Sequence, residues 1–226
     1  MASAKDIIVK PITAGSANKV VKAVHYSGKV VQDSSLHFGV FLNGKLEGAM
    51  SFGSPLDKKK VLPLVKDTAW NNMLELNRMA FSDVLPRNSE SRAMSIAFRL
   101  IKKHYPHIEW ILSFSDGTQC GDGTIYRASG FVLTGIKENN TLYKMPNGLV
   151  VAGMTLEANF QLPQIRDISD FLGIEHKQRT RSEWRKLGAE PLKGYQLRYI
   201  YFLNQDAKQR LSVPIIPFSK INEIGA

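Results

Sequence analysis

The middle of the chain carries a strand, a helix and a second strand in succession, and this unit restricts the fold more than any other feature. Residues 74–81 are rich in apolar, strand-forming side chains. A cap at Asn88 or Ser89 begins the helix, which runs to about Tyr105, and residues 110–114 form the second strand. Two strands joined by a crossover helix are parallel, with a right-handed connection. The sequence therefore predicts an α/β fold with a mixed central sheet flanked by helices.

Further elements are expected on both sides of this unit. Ser16 can cap a helix that ends near Gly28. Residues 36–42 alternate at period two, and Asn43 and Gly44 are typical of the type I′ turn of a hairpin. Additional strands are predicted at residues 46–52, 132–137, 141–145, 149–154 and 196–203, with short helices around Tyr126 and over residues 182–187.

The C-terminal third has a weaker pattern. Residues 159–193 show little periodicity, and the tail from Leu211, with Pro214 and Pro217, is expected to be extended. We predict a single domain over residues 1–226. Within it, residues up to about 158 form the catalytic core, and residues 159–226 form a basic extension that wraps this core.

The net charge predicts a polyanionic partner. The chain has 30 Lys and Arg against 20 Asp and Glu, a formal net charge of +10. Residues 175–210 hold nine basic residues against four acids. Such a surplus favours nucleic acid, here double-stranded DNA, over a membrane surface. The DNA-contacting residues predicted on this basis are Lys58, Lys59, Lys60, Lys177, Arg179, Arg181, Arg185 and Lys186.

The single cysteine, Cys120, excludes an intramolecular disulfide and a zinc site built on several thiolates. One cysteine fits a reducing compartment, and neither a secretory leader nor an apolar run of membrane-spanning length is evident. We therefore expect a cytoplasmic protein with no membrane partner. The oligomeric state stays open, with a dimer as one candidate.

A glycine-rich loop between a buried strand and a short helix is the candidate active-site segment. It places Asp116 at the carboxyl end of the strand and Tyr126 on the helix. Ligands of open α/β sheets bind beyond the carboxyl ends of strands. Asp116 is either a base or metal ligand, or the acid of a turn. Tyr126 is either part of the site or a packing residue that precedes Phe131.

The order of the predicted elements resembles that of the GNAT acyltransferases. In that family, the loop before the central helix presents backbone N–H groups to the pyrophosphate of an acyl-coenzyme A, as a helix N-terminus can. Here the loop lacks the usual glycines, although Ser91 and Ala93 are small. The resemblance implies an acetyl-CoA-type or other small acyl or amide donor, bound by Arg87, Asn88, Ser89, Ser91 and Arg92. It also implies that Tyr126, on a helix where GNAT enzymes often keep a phenol, is a general acid.

Four stretches resemble the Mom family of bacteriophage DNA-modification proteins. They are HYSGKVV at residues 25–31, LELNRMAFSD at 74–83, PRNSESR at 86–92 and SFSDGTQCGDGTIYRASGF at 113–131. The resemblance implies a phage-encoded transferase that adds a methylcarbamoyl or acetamido group to the N6 atom of adenine in double-stranded DNA. The modified DNA then escapes host restriction.

The resemblance also assigns roles to single residues. His25 is a metal ligand or general base, and Tyr26 is a polar active-site group. Together with Asp116, His25 would suit iron, with His37 as a third ligand or, as we favour, a sheet histidine. Arg78, inside an apolar strand, anchors a phosphate or carboxylate, or else pairs with an acid such as Glu75 or Asp83.

Two other functions compete with DNA modification. The first is a GNAT N-acetyltransferase that acts on the amine of a protein or small molecule. The second is a DNA-binding protein without enzymatic activity, but the polar loop at residues 115–123 argues against it because groove binding needs no such pocket.

Overall fold

The computed structural model describes residues 2–25, 29–30, 32–117, 123–139 and 141–224. The chain divides into two compact units. Unit 1 comprises Met1–Ser115, Asp122–Gly135 and Leu197–Ala226, and unit 2 comprises Asp116–Gly121 and Ile136–Gln196. Within the described residues, no helix is long and apolar enough to cross a membrane.

The largest sheet has seven strands in the order β1-β2-β3-β4-β5-β10-β6. Neighbours from β1 to β4 are antiparallel, whereas β4 and β5 are parallel, as the strand–helix–strand pattern predicts. The strands are β1 (Ile8–Pro11), β2 (Ser34–Leu42), β3 (Lys45–Gly53), β4 (Met73–Phe81), β5 (Trp110–Asp116), β6 (Val132–Glu138) and β10 (Tyr195–Phe202).

Helices accompany this sheet in unit 1. The longest is α3 (Ser89–His104), which buries one apolar face and ends at Tyr105, before Pro106. The other α-helices of unit 1 are α1 (Ala14–Val24), α2 (Lys58–Val61), α4 (Thr124–Ala128), α8 (Gln205–Gln209) and α9 (Ser219–Ile224). The last two lie in and near the tail, and α9 replaces part of the extended conformation predicted after Leu211.

An aromatic chain joins α3 to the sheet. The ring of Phe98 lies edge-on to Phe52 and to Phe131, with centroids 6.4 and 5.7 Å apart. Phe52 in turn meets Phe38 at 5.9 Å. Edge-to-face pairs of this kind add to the stabilisation from apolar burial. The helix therefore packs against β3 through Phe98.

The predicted hairpin is confirmed. Asn43 (φ 50°) and Gly44 (φ 79°) connect β2 to β3, and both have the left-handed backbone that a type I′ turn requires. From this turn, β2 and β3 pair in antiparallel register.

Helix α1 begins one turn earlier than predicted, because Thr13 rather than Ser16 is its N-cap. The Thr13 Oγ1 atom accepts a hydrogen bond from the backbone N–H of Ser16 at 3.2 Å. Ser16 itself lies inside the helix, where its hydroxyl contacts Thr13 Oγ1 at 3.0 Å.

We expect Thr13→Ala to lower the free energy of unfolding by about 1 kcal/mol, since a helix N–H loses its acceptor. Ser16→Ala is the matched control and should cost less, because alanine favours a helix interior. Urea unfolding of both variants measures the difference. Equal losses would show that the cap contributes nothing specific.

Unit 2 contains a three-stranded sheet in the order β8-β7-β9 and three helices. Trp184 is fully buried at its centre and donates its indole N–H to the carbonyl of Leu156. The predicted strand at 149–154 is shorter, and helices occupy part of the weakly patterned region. The elements are β7 (Leu142–Lys144), β8 (Val150–Ala152), β9 (Glu190–Pro191), α5 (Gly153–Ala158), α6 (Pro163–Phe171) and α7 (Arg181–Lys186).

Candidate functional site

Strand β4 has an irregularity at its centre. Ser51 of β3 pairs with Arg78 and Phe52 pairs with Leu76, so Asn77 is an extra residue, a β-bulge. Parallel pairing of β4 with β5 covers three residue pairs, the last being Glu75 with Leu112. Bulges often re-aim side chains next to active sites. The polar residues around Asn77 are therefore candidate active-site residues.

Glu75 is the carboxylate of this region. Burial is the main effect on its pKa, and it outweighs the hydrogen bond from Asn77 and the positive charge of Arg78. The result is a pKa raised from 4.5 to about 7. A carboxyl group that titrates near neutral pH can accept a proton in a reaction and return it afterwards.

Asn77 is buried and connects three segments. Its Oδ1 atom accepts a hydrogen bond from Ser34 Oγ at 3.0 Å, and its Nδ2 atom donates to the carbonyl of Ser54 at 3.4 Å. Gly53 permits this packing, because a Cβ there would lie 2.8 Å from Asn77 Oδ1. The amide therefore holds the start of β2 against the bulge.

His25 and Arg78 form the second part of the site. His25 ends α1, and burial followed by the positive charge of Arg78 lowers its pKa from 6.5 to about 4. Arg78 donates from Nε to the carbonyl of Lys29 at 2.9 Å and from Nη1 to the carbonyl of Asn77 at 2.7 Å. His25 is therefore neutral at pH 7, and Arg78 ties the segment after α1 to β4.

Tyr126 lies on α4 within an aromatic cluster of unit 1. Its ring stacks on Tyr199 with centroids 5.0 Å apart and meets Phe131 edge-on at 5.2 Å. Tyr199 stacks on Phe218 from the tail. Gly123, at φ 71°, begins the helix where a Cβ would lie 2.6 Å from the Tyr199 hydroxyl oxygen. Both roles predicted for Tyr126, packing and proton transfer, are compatible with this placement.

The predicted donor-binding residues lie at the start of α3. Asn88 is the N-cap, in left-handed conformation, and Ser91 Oγ donates to its carbonyl at 3.2 Å. Arg87 and Arg92 are exposed. Ser89 is fully buried, and its hydroxyl has no hydrogen-bond partner within the described part of the chain. Buried hydroxyl groups are nearly always bonded, so an unmet one at a helix N-terminus is notable.

The other predicted site residues are placed as follows. Asp116 ends β5 and belongs to unit 2, and Tyr26 lies outside the described residues. His37 is a buried sheet histidine, with Nδ1 2.9 Å from Ser51 Oγ, as we favoured.

The residues do not fit the predicted iron site. The described residues include no group of three or more His, Cys, Asp or Glu side chains that could hold a metal ion. His25 is also next to the Arg78 cation, which lowers its pKa and would equally repel a metal cation.

The basic residues predicted to contact DNA differ in their surroundings. In unit 1, Lys59 and Lys60 are exposed, and Lys60 pairs with Asp57 at 2.7 Å, whereas Lys58 is buried.

In unit 2, Lys177 and Lys186 are exposed, and Arg181 pairs with Glu157 at 2.7 Å. Arg185 lies over the ring of Tyr143. Arg179 is buried, and its surroundings indicate a structural role: it bonds the carbonyls of Glu175 and Lys177 and covers the ring of Trp184.

The sequence alone does not single out Glu75 or Asn77 as candidate site residues, and it gives Glu75 only as a possible ion partner of Arg78. The sequence holds one signal of them: Glu75 and Asn77, together with Arg78, interrupt the otherwise apolar run at 74–81. A polar side chain in a central strand needs a partner or a function.

A family model described as the Mom protein family matches residues 6–220 of the sequence. The chain belongs to the Mom protein family. This Mom-family chain is also 34% identical over 212 residues to the methylcarbamoylase Mom of Escherichia phage Mu. The match covers 93% of the chain and 81% of that relative. The family predicted from the four stretches is therefore confirmed.

Solved structures with a similar arrangement include two N-acetyltransferases. The ribosomal-protein-S18-alanine N-acetyltransferase from Escherichia coli has a TM-score of 0.47 and 10% identity, with 88% of this Mom-family chain and 94% of that chain covered. The spermidine/spermine N-acetyltransferase from Vibrio cholerae has a TM-score of 0.48 and 8% identity, with coverage of 92% and 99%. The predicted α/β class, with a mixed central sheet and flanking helices, is confirmed.

Proposed function

We propose that this Mom-family protein is a transferase that adds a small amide-containing group, methylcarbamoyl or acetamido, to N6 of adenine in double-stranded DNA. The modification would protect phage DNA from host restriction in the cytoplasm of the infected cell. One observation carries the proposal: the 34% identity to a methylcarbamoylase extends over 93% of the chain.

The chemistry requires a base. The lone pair of adenine N6 is delocalised into the ring, so a proton must leave N6 as the new N–C bond forms. Glu75, with a pKa of about 7, is half ionised at neutral pH and can take that proton. His25 is neutral at this pH and is the alternative acceptor. Arg78 is the cation next to both, and it stabilises the carboxylate form of Glu75.

The donor must be held and its leaving group protonated. The buried Ser89 hydroxyl at the start of α3 supports donor binding there, because it lacks a partner among the described residues. The first N–H groups of a helix of this length favour an anionic part of a ligand. As the bond from the transferred carbon to the donor breaks, the Tyr126 phenol would supply a proton to the leaving group.

Adenine N6 is paired inside a duplex, so the base must leave the stack. Extrusion costs a few kcal/mol. Contacts between phosphates and the exposed lysines Lys59, Lys60, Lys177 and Lys186 would offset that cost and make binding sensitive to salt.

The decisive experiment is mass spectrometry of nucleosides from DNA of cells that express the chain. We expect an adenine nucleoside with the added mass of the amide-containing group, absent from cells that express His25→Ala/Glu75→Gln. Unmodified DNA together with acetyl transfer to a protein or polyamine would overturn the proposal in favour of an N-acetyltransferase.

A further inference from the structure

A cavity of about 510 Å³ lies in unit 1, where β2, β4 and β5 begin. Small-molecule sites commonly occupy roughly 300–1,000 Å³. Tyr105, immediately after α3, lines this cavity, whereas Ser89 is at the opposite end of the helix. A helix of 16 residues is about 24 Å long. The cavity is therefore separate from the donor site proposed at the start of α3.

Lys58 is the most unusual residue of its lining. The side chain is buried, with 9% of its surface exposed, and no acid of the described residues pairs with it. Its Nζ atom lies 3.5 Å from Ser54 Oγ and 5.1 Å from the centre of the Trp70 ring. Asp33 also lines the cavity but is exposed to solvent and beyond ion-pair distance. A buried ammonium without a counter-ion is costly, and an anionic ligand would remove that cost.

Two further cations are close in the chain to residues that line the cavity. Lys59 follows Lys58, and Lys103 precedes Tyr105 by two positions. Both lysines are exposed. Burial lowers the pKa of Lys58, and a bound anion would raise it again.

The rest of the lining suits a planar, partly apolar group. Met73, Leu74 and Ile108 supply apolar surface, and Tyr105, 42% exposed, supplies an aromatic ring. Asn71 adds amide hydrogen-bonding groups. Aromatic and apolar side chains stack on nucleobases regardless of base identity, whereas an amide can bond to a base edge.

We propose that this cavity is a nucleotide site in which the Lys58 ammonium binds a phosphate and the apolar lining takes the attached base. The nucleotide is a unit of a DNA strand or a free mononucleotide, which share this chemistry. The site does not depend on the transfer reaction, because binding can be measured with no donor present.

The test is Lys58→Met, with Lys45→Met, at an exposed position at the start of β3, as the matched control. Adenosine monophosphate and a short single-stranded oligonucleotide are titrated against the full-length protein, and thermal unfolding and calorimetry follow binding. We expect Lys58→Met to weaken binding of the phosphate-bearing probe roughly 10- to 100-fold, and Lys45→Met to have a much smaller effect. Methionine fills a similar volume, so the variant should fold at least as stably as the parent. Lys58→Arg should keep most of the affinity.

Other outcomes decide the source of the nucleotide or overturn the site. Binding of adenosine monophosphate supports a free nucleotide, and binding of the oligonucleotide alone supports a DNA unit. Equal affinity for adenosine and its monophosphate would contradict the phosphate contact. Equal affinity for inorganic phosphate would contradict the base contact. Unchanged binding in Lys58→Met, or no binding of any probe, would overturn the proposal.

Discussion

Glu75→Gln is expected to slow transfer to adenine N6 by roughly 10²- to 10⁴-fold, which is the usual contribution of a general base. Glutamine keeps the shape of the side chain and can still bond Asn77, but it cannot accept a proton. In the parent protein, kcat/KM should rise with pH as Glu75 ionises around its pKa of about 7. In Glu75→Gln, kcat/KM should not show this rise with pH.

The same substitution should make the protein more stable at alkaline pH. Between 4.5 and about 7, the folded carboxyl group keeps a proton that the unfolded chain has released, so stability falls as pH rises. The full cost, roughly 3 kcal/mol at most, is present at pH 8 and absent below pH 4.5. Glutamine is neutral throughout and avoids it.

Urea unfolding at pH 4.5 and pH 8 separates these effects. Glu75→Gln should exceed the parent in free energy of unfolding only at pH 8, whereas Glu138→Gln, at an exposed position, should match the parent at both. If Glu75→Gln stayed fully active, His25 would be the remaining proton acceptor. If it lost activity and stability together, the residue would be structural instead.

The hairpin could be predicted from the sequence, whereas the environment of Glu75 could not. The turn at Asn43 and Gly44 and the helix that begins after Asn88 depend on local backbone preferences, which neighbouring residues encode. The surroundings of Glu75 depend on tertiary contacts: it bonds Asn77, which lies at a bulge opposite β3 and is held by Ser34, 43 positions away in the chain. No local pattern reports such contacts.

The basic segment at residues 175–210 shows that sequence alone also does not identify which charged side chains are accessible. Nine Lys and Arg among residues 175–210 indicate a DNA-binding surface when only composition is read. In the structure, Arg179 points its charge at carbonyl groups and Arg181 is paired with Glu157. Sequence gives the number of charges, whereas burial decides which of them can reach a phosphate.

Arg179→Ala is therefore expected to lower the free energy of unfolding by roughly 3 kcal/mol. Its guanidinium donates to the carbonyl of Glu175 at 2.8 Å and to that of Lys177 at 3.3 Å, and it covers the ring of Trp184. A hydrogen bond to a charged group contributes about 1.5–3 kcal/mol, and the two partly buried carbonyl groups would lose their donor. Lys186→Ala, at an exposed position on the same helix as Trp184, should leave stability nearly unchanged.

For DNA binding we expect the opposite order: replacing Lys186 should change the affinity more than replacing Arg179. Removing one phosphate contact lowers the slope of log affinity against log salt by about 1. We expect that change for Lys186→Ala. For Arg179 the variant is Arg179→Met, which keeps part of the packing on Trp184. At a temperature where this variant is folded, its slope of log affinity against log salt should equal that of the parent. A lower slope for Arg179→Met with unchanged stability would mean that Arg179 leaves its carbonyl partners to bind DNA, and the structural role would then be wrong.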